Sequence, residues 1–490
     1  MGWSLRARGA VVGIVATGAG LAAGELLVGA IDGAVSPVIA VGNKVIDLVP
    51  LQLKNWAVET FGTSDKVVLV VTTVAILFVA GLVIGTVAVS GRRLAAVVAT
   101  AAIGVVGVAA VLTRPDPTVA KVVPIVVGTL VSMAVLWWLS AAAGTETVAA
   151  RVAEAPSHAV ATLGAPDELS PIEPAEAVVP GIGAADRRTF LLRTVVVASL
   201  AAITGAAGWR LQRRYDVGGE RAALSLPRVG ARRPAAVLPP NADLDVEGVT
   251  SFVTPNSDFY RIDTALLVPQ VSKDEWRLKI HGMVERELEL TFEDLLARDS
   301  IEAYVTLACV SNPTGGPYVG NALWQGVRLA DIFAEVGPDP ASTQLLSTSV
   351  DGWTCGTSVS SLTDGRNAML AIAMNGEPLP AEHGYPVRMV VPGEYGYVSA
   401  TKWVVDMEFT TWEAVEAYWV PRGWSQQAPM KTMTRIEVPR HRATVAAGQI
   451  EIGGTAYAVH RGISAVEVRV DGGEWMRAEL GGVPSPDTWR

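Results

Sequence analysis

The residue best suited to soft-metal chemistry is Cys309, one of only two cysteines in the chain. It stands after an apolar run and before a Gly/Pro-rich turn, in Thr306-Leu-Ala-Cys-Val-Ser-Asn-Pro-Thr-Gly-Gly-Pro-Tyr-Val-Gly-Asn-Ala-Leu-Trp-Gln-Gly-Val327. A thiol at the end of a strand, opening into a loop that can fold over a ligand, is placed to bind a metal as the thiolate. Two plainer readings stand beside that one: a free core cysteine, or half of a disulfide with Cys355. A second group lies downstream. His383 and Arg388 fall in His383-Gly-Tyr-Pro-Val-Arg-Met-Val-Val-Pro-Gly393, Lys402 falls in Ser399-Ala-Thr-Lys-Trp403, and Arg261 sits far upstream in the polar stretch 254–263. Cations around Gly-rich turns are equipment for holding a phosphate by charge-assisted hydrogen bonds. Taken singly, His383 reads equally as a satisfied structural histidine, and Arg388 as the partner of Glu394 or Glu382.

The elements that carry these residues divide the chain sharply. At 490 residues, of which 50% are hydrophobic, and with a mean hydropathy of +0.35, the chain exceeds one typical domain. Its apolar residues concentrate before Gly208. The stretches Ala10 to Ile31, Val67 to Ser90, Leu94 to Leu112 and Val122 to Ala143 are nearly free of charge, Glu25 excepted. Each approaches or exceeds the roughly twenty residues that a bilayer crossing needs. They predict a four-helix transmembrane region over 1–145, with the amino terminus inside by a modest excess of Arg in the cytoplasmic loops. An Ala/Pro/Glu-rich linker over 146–185 follows. Arg187 and Arg188, with Phe190 close behind, then precede the apolar run Val195 to Gly208. This resembles a twin-arginine export signal retained as a fifth span over 186–210, and an ordinary span with flanking arginines predicts the same topology. Both leave the rest of the chain outside the cytoplasmic membrane, although Arg210, Arg213 and Arg214 weigh against that orientation.

A Pro/Arg-rich tether over 211–240 leads to a globular region of mixed texture. Val268 to Gly282 reads as strand, Thr291 to Leu296 as a short capped helix, and Leu329 to Glu335 as another, ended by Gly337-Pro338. Short apolar runs broken by Gly and Pro predict α+β rather than a βαβ repeat over 241–430. Within 431–490, the runs Thr444 to Ile452, Ala456 to His460, Ala465 to Val470 and Trp475 to Leu480 read as strands of an immunoglobulin-like sandwich, incomplete because such a sandwich has about seven. The net charge of -9, without a basic patch interleaved with aromatics, gives no reason to expect nucleic acid. None of the five histidines lies in a span, so paired haem ligands in the membrane are not expected.

Taken in order, the motifs resemble the sulfite oxidase-like family of molybdopterin oxidoreductases. Cys309-x-x-Asn312, Asn321-Ala-x-Trp-x-Gly-Val327, His383-Gly-x-Pro-Val-Arg388 with Pro392-Gly393, Lys402-Trp403, and the closing Gly462 to Gly473 stretch occur in the family's order, from about Ser251 onward. The resemblance implies a molybdenum bound by one molybdopterin, with Cys309 as the protein thiolate, and with Arg261, Asn312, His383, Arg388 and Lys402 holding the pterin and its phosphate. It implies two-electron oxygen-atom transfer on a small-molecule substrate, which the topology above would place outside the membrane. It also implies a separate electron-transfer partner, quinone-linked or a cytochrome, with no haem on this chain. The last segment corresponds to the family's dimerisation domain, which leaves a homodimer open. In sulfite-oxidising members an Arg lies five residues after the ligand Cys; here Thr314 stands there, which argues against sulfite, while Tyr318, Trp353 and Tyr395 are available to line a less charged pocket. A membrane-anchored module that keeps the fold without turnover is the alternative.

Overall fold

The computed structural model describes residues 4–61, 65–113, 118–153, 184–229 and 237–490. It divides into two compact units, Met1–Arg214 and Tyr215–Arg490. The linker reading falls largely on residues 154–183, and the tether reading partly on 230–236, both outside the described residues.

The first unit is helical: α1 (Leu5–Ala30), α2 (Pro37–Leu48), α3 (Leu51–Phe61), α4 (Asp65–Val89), α5 (Arg93–Leu112), α6 (Val119–Ala153) and α7 (Ala184–Gln212). Among the described residues, five helices are long and apolar enough to cross a membrane, and they coincide with the five apolar stretches in the sequence. The helices α2 and α3 were not expected. Pro37 at the first turn of α2 suits a helix start, but the polar breaks at Asn43, Lys44 and Lys54 hide both from a span search. Packing centres on α1, whose small residues let backbones approach. A Cβ on Gly13 would lie 1.8 Å from the Gly81 carbonyl of α4, and one on Gly20 2.5 Å from the Gly128 carbonyl of α6. Small-residue contacts of this kind, rather than apolar burial, are how helices associate in lipid. The outward faces stay apolar: Ile76 and Val79 are 62% and 63% exposed. Glu25, the acid within α1, accepts hydrogen bonds from Ser36 Oγ and from Gln212 Nε2 of α7, the latter at 2.9 Å.

The second unit opens with α8 (Gly218–Ala223) and then builds two sheets. Its elements run β1 (Arg277–Gly282), β2 (Leu288–Thr291), α9 (Phe292–Leu296), β3 (Ile301–Ala308), β4 (Val319–Arg328), α10 (Leu329–Val336), β5 (Gln344–Ser349), β6 (Thr354–Ser358), α11 (Val359–Thr363), β7 (Met369–Met374), β8 (Glu377–Pro378), β9 (Arg388–Val390) and β10 (Val404–Thr410). One sheet has the order β2-β1-β10-β5-β6; in the other β3-β4-β7-β8 are consecutive and β9 pairs with β7. Only β1–β10 is parallel, the remaining pairs being antiparallel, in keeping with the α+β reading. The strand expected from Val268 begins only at Arg277, because the Glu220 carboxylate captures Ser272 Oγ and the Lys273 N–H and folds that stretch into a turn. The start of α9 is as read: the Thr291 side chain accepts from the Asp294 N–H and the Asp294 carboxylate accepts from the Thr291 N–H. Gly337, left-handed at φ 61°, closes α10.

Beyond Met430 the chain forms β11 (Met433–Val438) paired with β12 (Gly453–Tyr457), and β13 (Glu467–Val468) paired with β14 (Met476–Arg477). Thr444 to Ile452 is not a strand: residues 441–452 are exposed and no ladder receives them. Alternation of apolar residues there lacked a second surface to bury it.

Candidate functional site: a thiol loop beside a cationic cradle

Strands β3 and β4 pair in unbroken register from Ile301–Gly326 to Ala308–Val319, so Cys309 is the first residue of the loop that joins them. Both strands are almost wholly buried, which fixes where the loop starts. The loop is closed from within. Cys309 N–H donates to the Tyr318 carbonyl (2.9 Å), Asn312 N–H to the Cys309 carbonyl (3.0 Å), and Tyr318 N–H to Asn312 Oδ1 (2.8 Å). Asn312 thus spends its oxygen on the loop, and its Nδ2 is buried without a hydrogen-bond partner, approaching the Tyr457 hydroxyl of β12 without reaching bonding geometry. An unpartnered buried donor costs about 1–3 kcal/mol, so a site that retains one is suited to an absent acceptor.

Cys309 is half-buried and free, and so is the fully buried Cys355; the disulfide alternative is not what forms. Burial pushes the Cys309 thiol up, opposed by hydrogen bonding at Ser311, and pushes Cys355 up to about 11. A metal that replaces the proton on Cys309 removes that penalty.

The cationic group assembles from three separated segments. Lys402 Nζ donates to Asp263 Oδ2 (2.6 Å) and to the Glu382 carbonyl (3.0 Å), and Arg261 Nε donates to the same Asp263 oxygen (2.9 Å). Arg388 and Lys402 face each other across an antiparallel bridge. The turn that begins at His383 brings them together. Gly384 is left-handed at φ 111°, and a Cβ there would stand 2.9 Å from Arg388 Cβ, so this position requires glycine. Arg388 is buried and meets carbonyls, not acids: Nη1 donates to His383 O (3.1 Å), Nε to Met389 O (3.3 Å), and the guanidinium lies 4.9 Å from the Trp324 ring centroid. The expected pairing with Glu394 or Glu382 does not occur; Glu394 instead accepts from Ser361 and lies near Arg366.

Burial and the neighbouring cations shape the titration of this group. Burial, with Arg388 and Lys402 nearby, pushes His383 down to about 3, so its imidazole is neutral at pH 7, with Nε2 3.3 Å from the Asn256 carbonyl. Burial lowers Lys402 to about 8 against the pull of Asp263, and lowers Arg388 to about 10. Arg261 and Lys402 share one carboxylate and Arg388 meets only carbonyls, so the group has positive charge to spare for an anion. Tyr260 links cradle and thiol. Its hydroxyl feels both Cys309 and Arg388, and burial raises its pKa, so it remains a protonated donor.

The sequence-flagged residues therefore fall into two adjoining sets, Cys309 with Asn312, and Arg261, His383, Arg388 and Lys402. Thr314 is exposed. Tyr395 packs in the cluster containing Ala308 and Tyr457, whereas Trp353 belongs to the β5–β6 turn. Sequence reasoning missed Asp263, Tyr260, Tyr457 and Arg435, whose Nη1 donates to the Gly316 carbonyl of the thiol loop at 2.9 Å. Asp263 and Tyr260 flank Arg261 in sequence and were within reach of a search for counter-charges. Tyr457 and Arg435 carry no such signal, since only β11–β12 folding back brings them near.

The family model described as the oxidoreductase molybdopterin binding domain matches residues 265–419, a range that holds Cys309, Asn312, His383, Arg388 and Lys402. Mitochondrial sulfite oxidase of Rattus norvegicus is 29% identical over 300 residues, covering 52% of this chain and 53% of that protein. The uncharacterized oxidoreductase YuiH of Bacillus subtilis (strain 168) is 34% identical over 150 residues, 31% of this chain and 72% of its own length. Among solved structures, the crystal structure of the sulfane dehydrogenase SoxCD from Paracoccus pantotrophus aligns with a TM-score of 0.43 at 24% identity, over 54% of this chain and 74% of that one. The chain belongs to the sulfite oxidase-like family of molybdopterin oxidoreductases. It spans about half the length, 53%, of the mammalian sulfite oxidases it matches.

Proposed function

We propose that this chain is a membrane-anchored molybdenum oxidoreductase that carries out two-electron oxygen-atom transfer on a small substrate outside the cytoplasmic membrane, with electrons exchanged through a separate carrier. The observation that carries the reading is the pairing of a half-buried thiol and an unpartnered Asn312 amide with a buried cation, Arg388, that has no carboxylate of its own among the described residues. Those residues fit one molybdopterin. Cys309 would ligate the metal, and Arg388, Lys402 and Arg261 would hold the pterin phosphate, with neutral His383 as a hydrogen-bonding neighbour. The bound cofactor supplies the oxygen-atom and electron chemistry.

The chain's own residues prepare the site. Asn312 fixes the loop so that Cys309 enters with one orientation, and Arg435 ties the loop's far side at Gly316. Tyr260 keeps a proton on its hydroxyl between thiol and cradle, a donor toward whatever negative charge gathers there. At Thr314 the chain offers no cation to collect a sulfite anion, so a less charged substrate suits the loop better. The five long apolar helices support the anchor. The arginine pair supports export through the twin-arginine route and an outward-facing catalytic unit. On the family reading, residues 431–490 are the immunoglobulin-like dimerisation module, to which the β11–β12 pair would belong.

Metal analysis of the full chain purified from molybdenum-replete cells tests the proposal. Stoichiometric molybdenum, lost in Cys309→Ala, is expected; a metal-free wild type that folds normally would favour a non-catalytic module.

A further inference from the structure

The catalytic reading leaves unexplained a stack of aromatic rings on the second unit. Tyr397 follows Gly396, and Gly396 lies against the start of the thiol loop: a Cβ there would stand 3.7 Å from the Ala308 carbonyl and 4.0 Å from the Tyr260 hydroxyl. From Tyr397 the rings continue into the segment 418–424. Tyr397 meets Trp424 edge-on at 4.8 Å between centroids, Trp424 stacks on Trp419 at 4.5 Å and 23°, and Trp419 meets Tyr418 edge-on at 5.1 Å. Backbone geometry holds the stack in place. A tight turn over Val420–Arg422 ends at Gly423, left-handed at φ 90°, and returns Trp424 N–H to the Trp419 carbonyl at 3.2 Å. Tyr397 Oη donates to the Ser425 carbonyl at 3.0 Å, and the Arg422 guanidinium covers Tyr418 at 3.7 Å.

All four rings are half-buried rather than core. Four contacting large rings, left in partial contact with water, make the kind of amphipathic aromatic patch that interaction sites use. Arg422 is half-buried over Tyr418, its Nη1 donating to the Tyr418 carbonyl at 2.6 Å. The exposed charges of the segment 411–424, Glu413 and Glu416, are both acidic, beside flat, polarisable rings.

We propose that the ladder Tyr397–Trp424–Trp419–Tyr418 is the electron path between the Cys309 site and the surface, and that its outer end docks a basic one-electron carrier protein with an exposed planar cofactor edge. The inference rests on the oxidoreductase reading above. In the direction of substrate oxidation, water supplies the oxygen atom, two protons leave, and two electrons pass singly to two carrier molecules, each reduced by one electron. In the reverse direction the carriers are oxidised. No bond in the ladder forms or breaks; the rings act as a conducting medium. Aromatic centres with a charged rim are what brief encounters between electron-transfer proteins use, with small interfaces and steering by charge.

The test uses the full chain in nanodiscs, with cytochrome c as a basic haem probe. After stoichiometric reduction of molybdenum-loaded protein, Trp419→Leu and Trp424→Leu are expected to slow cytochrome c reduction at least about tenfold, while oxidation by ferricyanide, small enough to reach the metal directly, is unchanged. Trp424→Phe should restore most of the rate. Independently of metal, immobilised chain should bind cytochrome c in a salt-dependent manner, and Glu413→Lys with Glu416→Lys should abolish that binding. Unchanged cytochrome c rates in both Leu variants, or no binding by the wild type, would overturn the proposal. A chain that binds the carrier yet holds no molybdenum would instead count against the cofactor reading and leave the docking surface standing.

Discussion

The two units of this chain meet the problem of burial in opposite ways. In the helical unit the tight contacts are made at glycines, several against another glycine, the outer faces remain apolar, and Glu25 has its carboxylate hydrogen-bonded by Ser36 and Gln212. In the sheet-rich unit Trp276, Trp324, Trp403 and Trp489 are fully buried, and buried beside them are Arg388, Lys402 and His383, which a protein optimised only for stability would avoid. The outward apolar faces of the first suit a lipid surrounding by composition. The buried cations of the second cost stability that an anionic ligand would offset.

The largest expected effect breaks the first half of that comparison. Gly13→Leu would push a side chain into the Gly81 backbone, where no flexible group can yield, so we expect a loss of about 3 kcal/mol or more and failure of the helices to assemble. Thermal unfolding and size-exclusion in detergent would measure it. Wild-type behaviour would mean that α1 and α4 do not pack as described.

Arg388→Met addresses the second half. Removing a buried cation that has no carboxylate partner among the described residues should leave the metal-free chain as stable as the wild type or more so, while retained molybdopterin falls at least about tenfold. Loss of both together would make Arg388 structural.

A smaller effect concerns acid. His383 titrates near 6.5 when unfolded and near 3 in the fold, so in that window the unfolded chain binds a proton that the native chain refuses. Stability is therefore flat with respect to this group above pH 6.5 and falls as pH drops toward 3, by at most about 1.4 kcal/mol per pH unit. His383→Gln should flatten that limb in denaturant titrations of the metal-free chain, and an unaltered slope would show that other groups govern it.

The same contrast explains what was legible in the sequence. The five apolar stretches needed only length and composition, and the capping box at Thr291 and the glycine stop at Gly337 are local signals that the fold obeys. Local pattern failed where tertiary partners decide: 444–452 alternates like a strand and finds no neighbour, and α2 and α3 are helical despite charges that interrupt their apolar runs. At the site, ordered motifs pointed to Cys309 and the four residues of the cradle. The bond from Lys402 to Asp263 and the approach of Tyr457 to Asn312 depend on segments brought together over more than a hundred residues.

On the proposed reading, Cys309 would complete the coordination of a molybdenum held by a single molybdopterin. X-ray absorption at the molybdenum edge tests it most directly, by counting sulfur neighbours in the full chain and in Cys309→Ser. The account predicts three sulfurs in the wild type, two from the pterin and one from Cys309, and two in any metal retained by the variant; an equal sulfur count in both proteins would contradict it.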